Sequence, residues 1–213
     1  MRANAEEKLA AILIADVADY DRLLAHDRRR TEAALQLQYH EVIDAAIAIY
    51  GGRIFELDPA RTVAEFADPL AAVRCAVEIQ ERLRGRSAAV PPLERIRLRI
   101  GVHYGEALVD RGEITGEALT IAGRVHALAE PDEICVSRTV VDAVRRRVEH
   151  GFEDLANLAR PVPKPGLAFR LDVAPDALRP HAPAWLGTAG RLALTAVVAA
   201  AAIWLAMTGG RPS

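Results

Sequence analysis

At 213 residues, with 51% hydrophobic and 26% charged side chains, the chain can bury one full-sized domain core and leave a tail over. Its formal net charge of -2 supplies no field for a polyanion, which argues against a nucleic-acid binder held by charge. The two cysteines, Cys75 and Cys135, sit in apolar stretches without metal-ligand spacing, so they read as small buried hydrophobes of a reducing compartment.

Residues 1–7 are a polar tail with nothing to direct export. The continuous apolar run Leu9 to Ala15 predicts a central strand covered by helices, with Asp16 at its end. Tyr20 to Tyr50 follows a helical period with Leu23, Leu24, Ala34, Leu37, Val42, Ala46 and Ile49 inward, and Gly51-Gly52 stops it. Arg53 to Asp58 and Thr62 to Phe66 predict a hairpin. Asp68-Pro69 then opens a helix as N-cap and first-turn proline, fading at Gly85. Strict alternation over Ile96 to His103 predicts a strand with one buried face, with Glu106 to Asp110 as its pairing partner. A helix over Gly116 to Ala129, a short strand over Glu133 to Ser137, a helix over Thr139 to Arg147 and a last strand over Ala168 to Val173 follow. Strands and helices interleave with at least one hairpin. The class is therefore α+β, a ferredoxin-like βαββαβ core with additions rather than a doubly wound sheet.

Prolines recur from Pro161 to Pro183, and residues 174–190 read as a linker. Leu192 to Met207 carries no charge, and residues 191–210 approach the roughly 20 needed to cross a bilayer, which predicts a transmembrane helix. Arg191 at the near interface, with Arg160, Lys164, Arg170 and Arg179 on the same side, places the N-terminal domain in the cytoplasm of a single-pass inner or cell membrane protein. Arg28-Arg29-Arg30 and Arg145-Arg146-Arg147 read as solvated helix surface, and His103 and His126 as ordinary histidines without metal-spaced partners.

Three segments in order carry a resemblance: Ile14-Ala15-Asp16-Val17, then Gly51 to Phe66, then Gly116 to Pro131. Over residues 8 to 173 the chain resembles the class III adenylate/guanylate cyclase catalytic domain. In that family the hairpin reads Gly-Gly, a strand, Lys-x-x-Gly-Asp-Gly and a second strand ending near Glu-Phe. Here one gapless register puts Glu56 at the Lys, and Pro59, Ala60 and Arg61 at Gly-Asp-Gly. The resemblance implies two Mg²⁺ or Mn²⁺ ions held by two carboxylates, activating a 3′-hydroxyl for attack on the α-phosphorus of a nucleoside triphosphate. Asp16 matches the first carboxylate, and Val17 lends a carbonyl. Ala60, whose methyl ligates nothing, matches the second, and Asp58 is the candidate substitute. Metal binding is expected to be weakened, since magnesium is held mainly through one or two carboxylates and phosphates.

The segment Gly116 to Arg124 is similar to the family's Gly-Asp-x-Val-Asn-x-x-x-Arg, which reaches across a dimer into the partner's site. Thr120 stands at the ribose Asn, and Arg124 at the Arg that stabilises phosphate charge. Spacing of four puts both on one helix face, opposite the stripe Ala118, Ile121, Ala122, Val125 and Ala129. The base-selecting positions carry Glu56 and Glu113, a contradictory pair that assigns no nucleobase. No Walker-type loop, nucleophile elbow or Gly-Gly-Asp-Glu-Phe signature is present. With the apolar run of residues 191–210, the resemblance predicts a membrane-tethered cyclase domain, degenerate as a homodimer, that pairs as a homodimer or as a heterodimer with another cyclase domain and can meet a nucleoside triphosphate. Its rivals are a working adenylate or guanylate cyclase using Asp58, and the front part of a longer sensor.

Overall fold

The computed structural model describes residues 6–110, 113–158 and 166–173. Strand β1 (Glu6–Val17) runs through the middle of a mixed eight-stranded sheet, and Ala10 through Ile14 are wholly buried. Such an unbroken apolar run requires cover on both faces. On one face Ala10, Ile12 and Ile14 pack with Ala107, Ile114, Ala118 and Ala122; the odd-numbered residues turn to the other.

The helical stretch after β1 is not one helix. Asp27 adopts extended φ/ψ, ends α1 (Tyr20–His26) and caps α2 (Arg28–Gln38) by accepting from the Arg30 amide at 3.0 Å. A π-helical turn (Tyr39–Asp44) and α3 (Ala45–Ile49) follow. Break and π-turn each rotate the downstream side chains. Leu37 and Ile49, expected inward, are 51% and 49% exposed, while Leu35, Ile43 and Ile47 take the buried places.

Gly51, at φ 70°, supplies the left-handed residue that ends α3. Strands β2 (Arg53–Leu57) and β3 (Arg61–Phe66) form the expected hairpin, with a register shift between Ile54 and Glu56. Helix α4 (Pro69–Ser87) starts where Asp68 accepts from the Leu70 amide at 3.1 Å. Its buried Gln80 donates to the Leu98 and Glu133 carbonyls at 2.9 and 3.2 Å, pinning it to the sheet. Strand β4 (Leu98–Asp110) is continuous, so Glu106 to Asp110 extends the alternating strand and is not its hairpin partner. That place belongs to β5 (Glu113–Thr115).

Helix α5 (Glu117–His126), β6 (Ile134–Ser137), α6 (Arg138–Val144), β7 (Phe152–Asp154) and β8 (Ala168–Leu171) complete the described elements; β7 was not foreseen. The sheet order is β2-β3-β1-β4-β6-β8-β7 with β5 on β4, and only β4 and β6 pair in parallel. Cys75 and Cys135 are both buried. The linker expected over 174–190 and the transmembrane helix expected over 191–210 lie outside the described residues. Among the described residues no helix is long and apolar enough to cross a membrane.

Candidate functional site

Antiparallel register decides what surrounds Asp16. It lies directly opposite Arg61 on β3 and Arg99 on β4, so all three side chains leave the same face of the sheet. Arg99 clamps the carboxylate with both ends of its fork, Nε to Oδ1 at 2.8 Å and Nη2 to Oδ2 at 2.6 Å. His126 reaches the same group from α5, its buried Nε2 3.1 Å from Oδ1. The approach is too bent for a strong hydrogen bond, and we count it as an electrostatic contact. Gly101 makes it possible, since a Cβ there would stand 2.4 Å from His126 Cα. Only glycine lets α5 lie so close to β4.

Burial alone would push the Asp16 carboxyl up, but the close approach of His126, the Arg99 hydrogen bonds and the charge of both outweigh it and hold the group below the ordinary carboxylate range. The hydrogen bonding that Arg99 donates to Asp16 likewise pushes Arg99 up.

The hairpin loop brings no second carboxylate. Asp58 and Arg61 close a two-residue turn over Pro59-Ala60, with Asp58 N donating to Arg61 O at 2.9 Å. Ala60 has no positive φ, so the turn is type I, with Pro at its favoured second position and Asp at its first. Asp58 Oδ1 accepts from the amides of Ala60 and Arg61, both at 2.7 Å, which commits it to the turn. The Arg61 Nε is buried without a hydrogen-bond partner. Among the described residues no three His, Cys, Asp or Glu side chains group as a metal cage. With one carboxylate clamped by a guanidinium, a second holding a turn and a methyl at Ala60, these residues do not fit a two-ion magnesium or manganese site.

Glu56 is exposed on β2 opposite Val63, next to the bulge where Arg53 stacks 4.3 Å over the Phe55 ring. Glu113 lies in β5 opposite Asp110, and its side chain is outside the described residues. On α5 the residues Ala118, Ala122 and Val125 are buried, as is Ala129 just beyond it. Thr120 is exposed, its hydroxyl donating to the Gly116 carbonyl at 3.3 Å, and exposed Arg124 makes no ion pair or hydrogen bond to the described residues. Two residues before His126, Arg124 points about 200° around the helix from it, away from Asp16. One chain therefore does not bring Asp16 and Arg124 together.

Sequence reasoning missed Arg99 and His126, because only the β1–β4 register and the Gly101 contact bring them to Asp16. His103 is 6% exposed, with Nδ1 2.9 Å from Ser137 Oγ. Burial pushes its imidazole down, which suits a neutral structural histidine.

Known proteins share this fold. The sequence is 30% identical over 166 residues, 76% of this chain and 28% of the other, to "Putative adenylate cyclase 3" of Rhizobium meliloti (strain 1021). The chain spans less than a third of the length of the curated relatives it matches. No protein-family model matches it. Among solved structures, the adenylate/guanylate cyclase/hydrolase from Silicibacter pomeroyi is 37% identical, covering 81% of this chain and 100% of that one at a TM-score of 0.68. The guanylyl cyclase Cya2 (20% identity, 84% and 97% covered, TM-score 0.67) and the adenylyl cyclase CyaB from P. aeruginosa (16%, 83% and 100%, 0.67) share the fold.

Proposed function

This chain belongs to the class III adenylate/guanylate cyclase family, and we propose that it is a membrane-tethered cyclase-homology domain of cyclic-nucleotide signalling that has lost its own metal-dependent catalysis and serves as one half of a dimer. The observation that carries this reading is the bidentate clamp of Arg99 on Asp16. A divalent ion would have to displace a guanidinium already bonded to both carboxylate oxygens, and would meet a methyl at Ala60 in place of a second ligand. Thr120 in place of the ribose-orienting amide removes a further contact made to the same transition state, and losses of that kind fall on rate rather than on stability.

Arg124 supports the second part of the proposal. It is exposed, unpaired among the described residues and turned away from its own Asp16. In a homodimer or a heterodimer it would face the phosphates of a nucleoside triphosphate held by the partner, where a guanidinium stabilises developing charge. The strand order β2-β3-β1-β4 is that of a ferredoxin-like βαββαβ core, to which the remaining strands add. The apolar run within 191–210 would hold the domain at the cytoplasmic side of the membrane.

The test pairs the full chain with an intact class III cyclase domain whose own counterpart of Arg124 has been changed to Ala. Alone with ATP or GTP and Mn²⁺, the chain is expected to make no cyclic nucleotide above background. Mixed, it should restore the partner's activity, and Arg124→Ala should abolish that rescue. Cyclic nucleotide from the chain alone would overturn the proposal in favour of a working cyclase with Asp58 recruited to the metal.

A further inference from the structure

Arg145, Arg146 and Arg147 form a turn just past α6, and all three side chains are exposed. Backbone bonds fix the turn, the Arg145 and Arg147 amides donating to the Val141 and Val144 carbonyls at 2.9 and 2.7 Å. Arg147 lies 3.6 Å from Asp68, and Asp142 is held by Arg138 at 3.0 Å. The side chains of Arg145 and Arg146 make no ion pair or hydrogen bond to the described residues, and the exposed Glu149 offsets only part of their charge.

Where this turn stands decides what it can meet. Gly151 follows Arg147 by four residues. At about 3.8 Å per Cα step the two are within about 15 Å of each other. The Gly151 carbonyl accepts from the Asp172 amide at 2.9 Å, and Phe152 pairs with Leu171. The basic turn therefore stands beside the point where the chain leaves β8 and the described domain. Residues 174–190 come next and span no more than about 60 Å even when fully extended, and the uncharged run Leu192 to Met207 follows them.

Charge is spread unevenly along the sequence. Residues 138–191 hold nine Lys or Arg against six Asp or Glu, in a chain whose net charge is -2. Basic clusters on the cytoplasmic side of a membrane segment are the pattern that meets anionic lipid, and each such residue strengthens binding at the surface about five-fold. Two or three arginines would not hold a free protein there. A tether supplies a high local concentration, so a weak contact is enough to set which side of the domain faces the bilayer.

We propose that the Arg145–Arg147 turn docks on the anionic headgroups of the bilayer to which the chain is tethered, so that α6 faces the membrane. The docking rests on the membrane tether proposed above and holds whether or not the domain catalyses cyclisation. The full chain is placed in vesicles of phosphatidylcholine alone, or of phosphatidylcholine and phosphatidylglycerol in equal parts, each with a trace of lipid carrying a nitroxide on its headgroup. A fluorophore is attached through Ala143→Cys, an exposed position of α6, or in a second sample through Ala33→Cys, an exposed position of α2; Cys75 and Cys135 are buried and stay unlabelled. The chain should float with both vesicles. Quenching at position 143 should be about three-fold stronger with phosphatidylglycerol, and the gain should vanish at high salt and in the Arg145→Gln/Arg146→Gln variant, while position 33 gains nothing. Flotation with both vesicles but equal quenching at 143, a gain that survives the double substitution, or the same gain at 33 would overturn the docking and leave the tether standing. Flotation with neither vesicle would overturn the tether and the docking with it.

Discussion

At the end of β1 the carboxylate of Asp16 is closed in by its own chain, with Arg99 on both oxygens, His126 above and Arg61 alongside. On the outer face of α5, Thr120 and Arg124 are exposed, and Arg124 has no partner among the described residues. The two regions are joined by one helix, since His126 belongs to the first and Arg124 to the second. A shared site needs one half that receives substrate and metal and another that is offered to a neighbour. On the function proposed above, charge neutralisation shuts the receiving half of this chain and the offered half stays open. Such a division is what a domain acting on its partner's chemistry would retain.

The contrast is easiest to break at Gly101, the contact that sets α5 against β4. Gly101→Val drives branched carbon into the His126 backbone and is expected to cost about 3 kcal/mol in denaturant unfolding, the upper end for overpacking. A loss below about 1 kcal/mol would mean that α5 is not held as described. Asp16→Ala comes next, because it leaves Arg99 and His126 facing each other without their anion. About 1–3 kcal/mol is expected, as for a charged group stripped of its hydrogen-bonding partner. Its pH dependence sharpens the point. A carboxyl held below its ordinary value stabilises the fold above the unfolded value near 3.8 and loses that contribution as pH falls through the folded one. Thermal unfolding from pH 5 down to 2 should therefore narrow the gap between wild type and Asp16→Ala, and a constant gap would contradict the clamp.

On the open half the expected effects are small. Arg124→Ala should move stability by no more than about 0.5 kcal/mol, as at a surface position with no partner. A larger loss would show that Arg124 is bonded within its own domain. A separate effect, seen only in its pH dependence, lies away from both halves, on α4. Burial, aided by the charge of Glu78, pushes Glu81 up to about 7 from 4.5. A raised carboxyl stabilises the protonated fold, so its contribution is complete below pH 4.5 and is lost as pH rises to about 7. Glu81→Gln should remove that decline, seen as a flatter melting temperature between pH 5 and 8.

Period and punctuation in the sequence made much of this fold legible. The apolar run of β1, the glycines before the hairpin, the Asp68-Pro69 start of α4 and the stripe of α5 each have a local cause that survives folding. Where a cause was not local, the reading slipped. Leu37 and Ile49 fit a single helical period, but the Asp27 break and the π-turn rephase that period, and a π-turn leaves no composition signal. Glu106 to Asp110 fits a hairpin strand, yet β4 runs on because β1 beside it is long enough to pair with it from Leu98 to Val109. The candidate site divides the same way. Asp16, Ala60 and the exposed face of α5 follow from motif and spacing, whereas Arg99 and His126 depend on register across 83 residues and on one close helix–strand approach.

Manganese binding tests the closed half most directly. With the full chain, ATP and increasing Mn²⁺, the electron paramagnetic resonance signal of free Mn²⁺ should match that of ATP and Mn²⁺ without protein, and Asp16→Asn should change nothing. Saturable loss of that signal at one or two ions per chain, abolished by Asp16→Asn, would contradict the account and return Asp16 to the role of metal ligand.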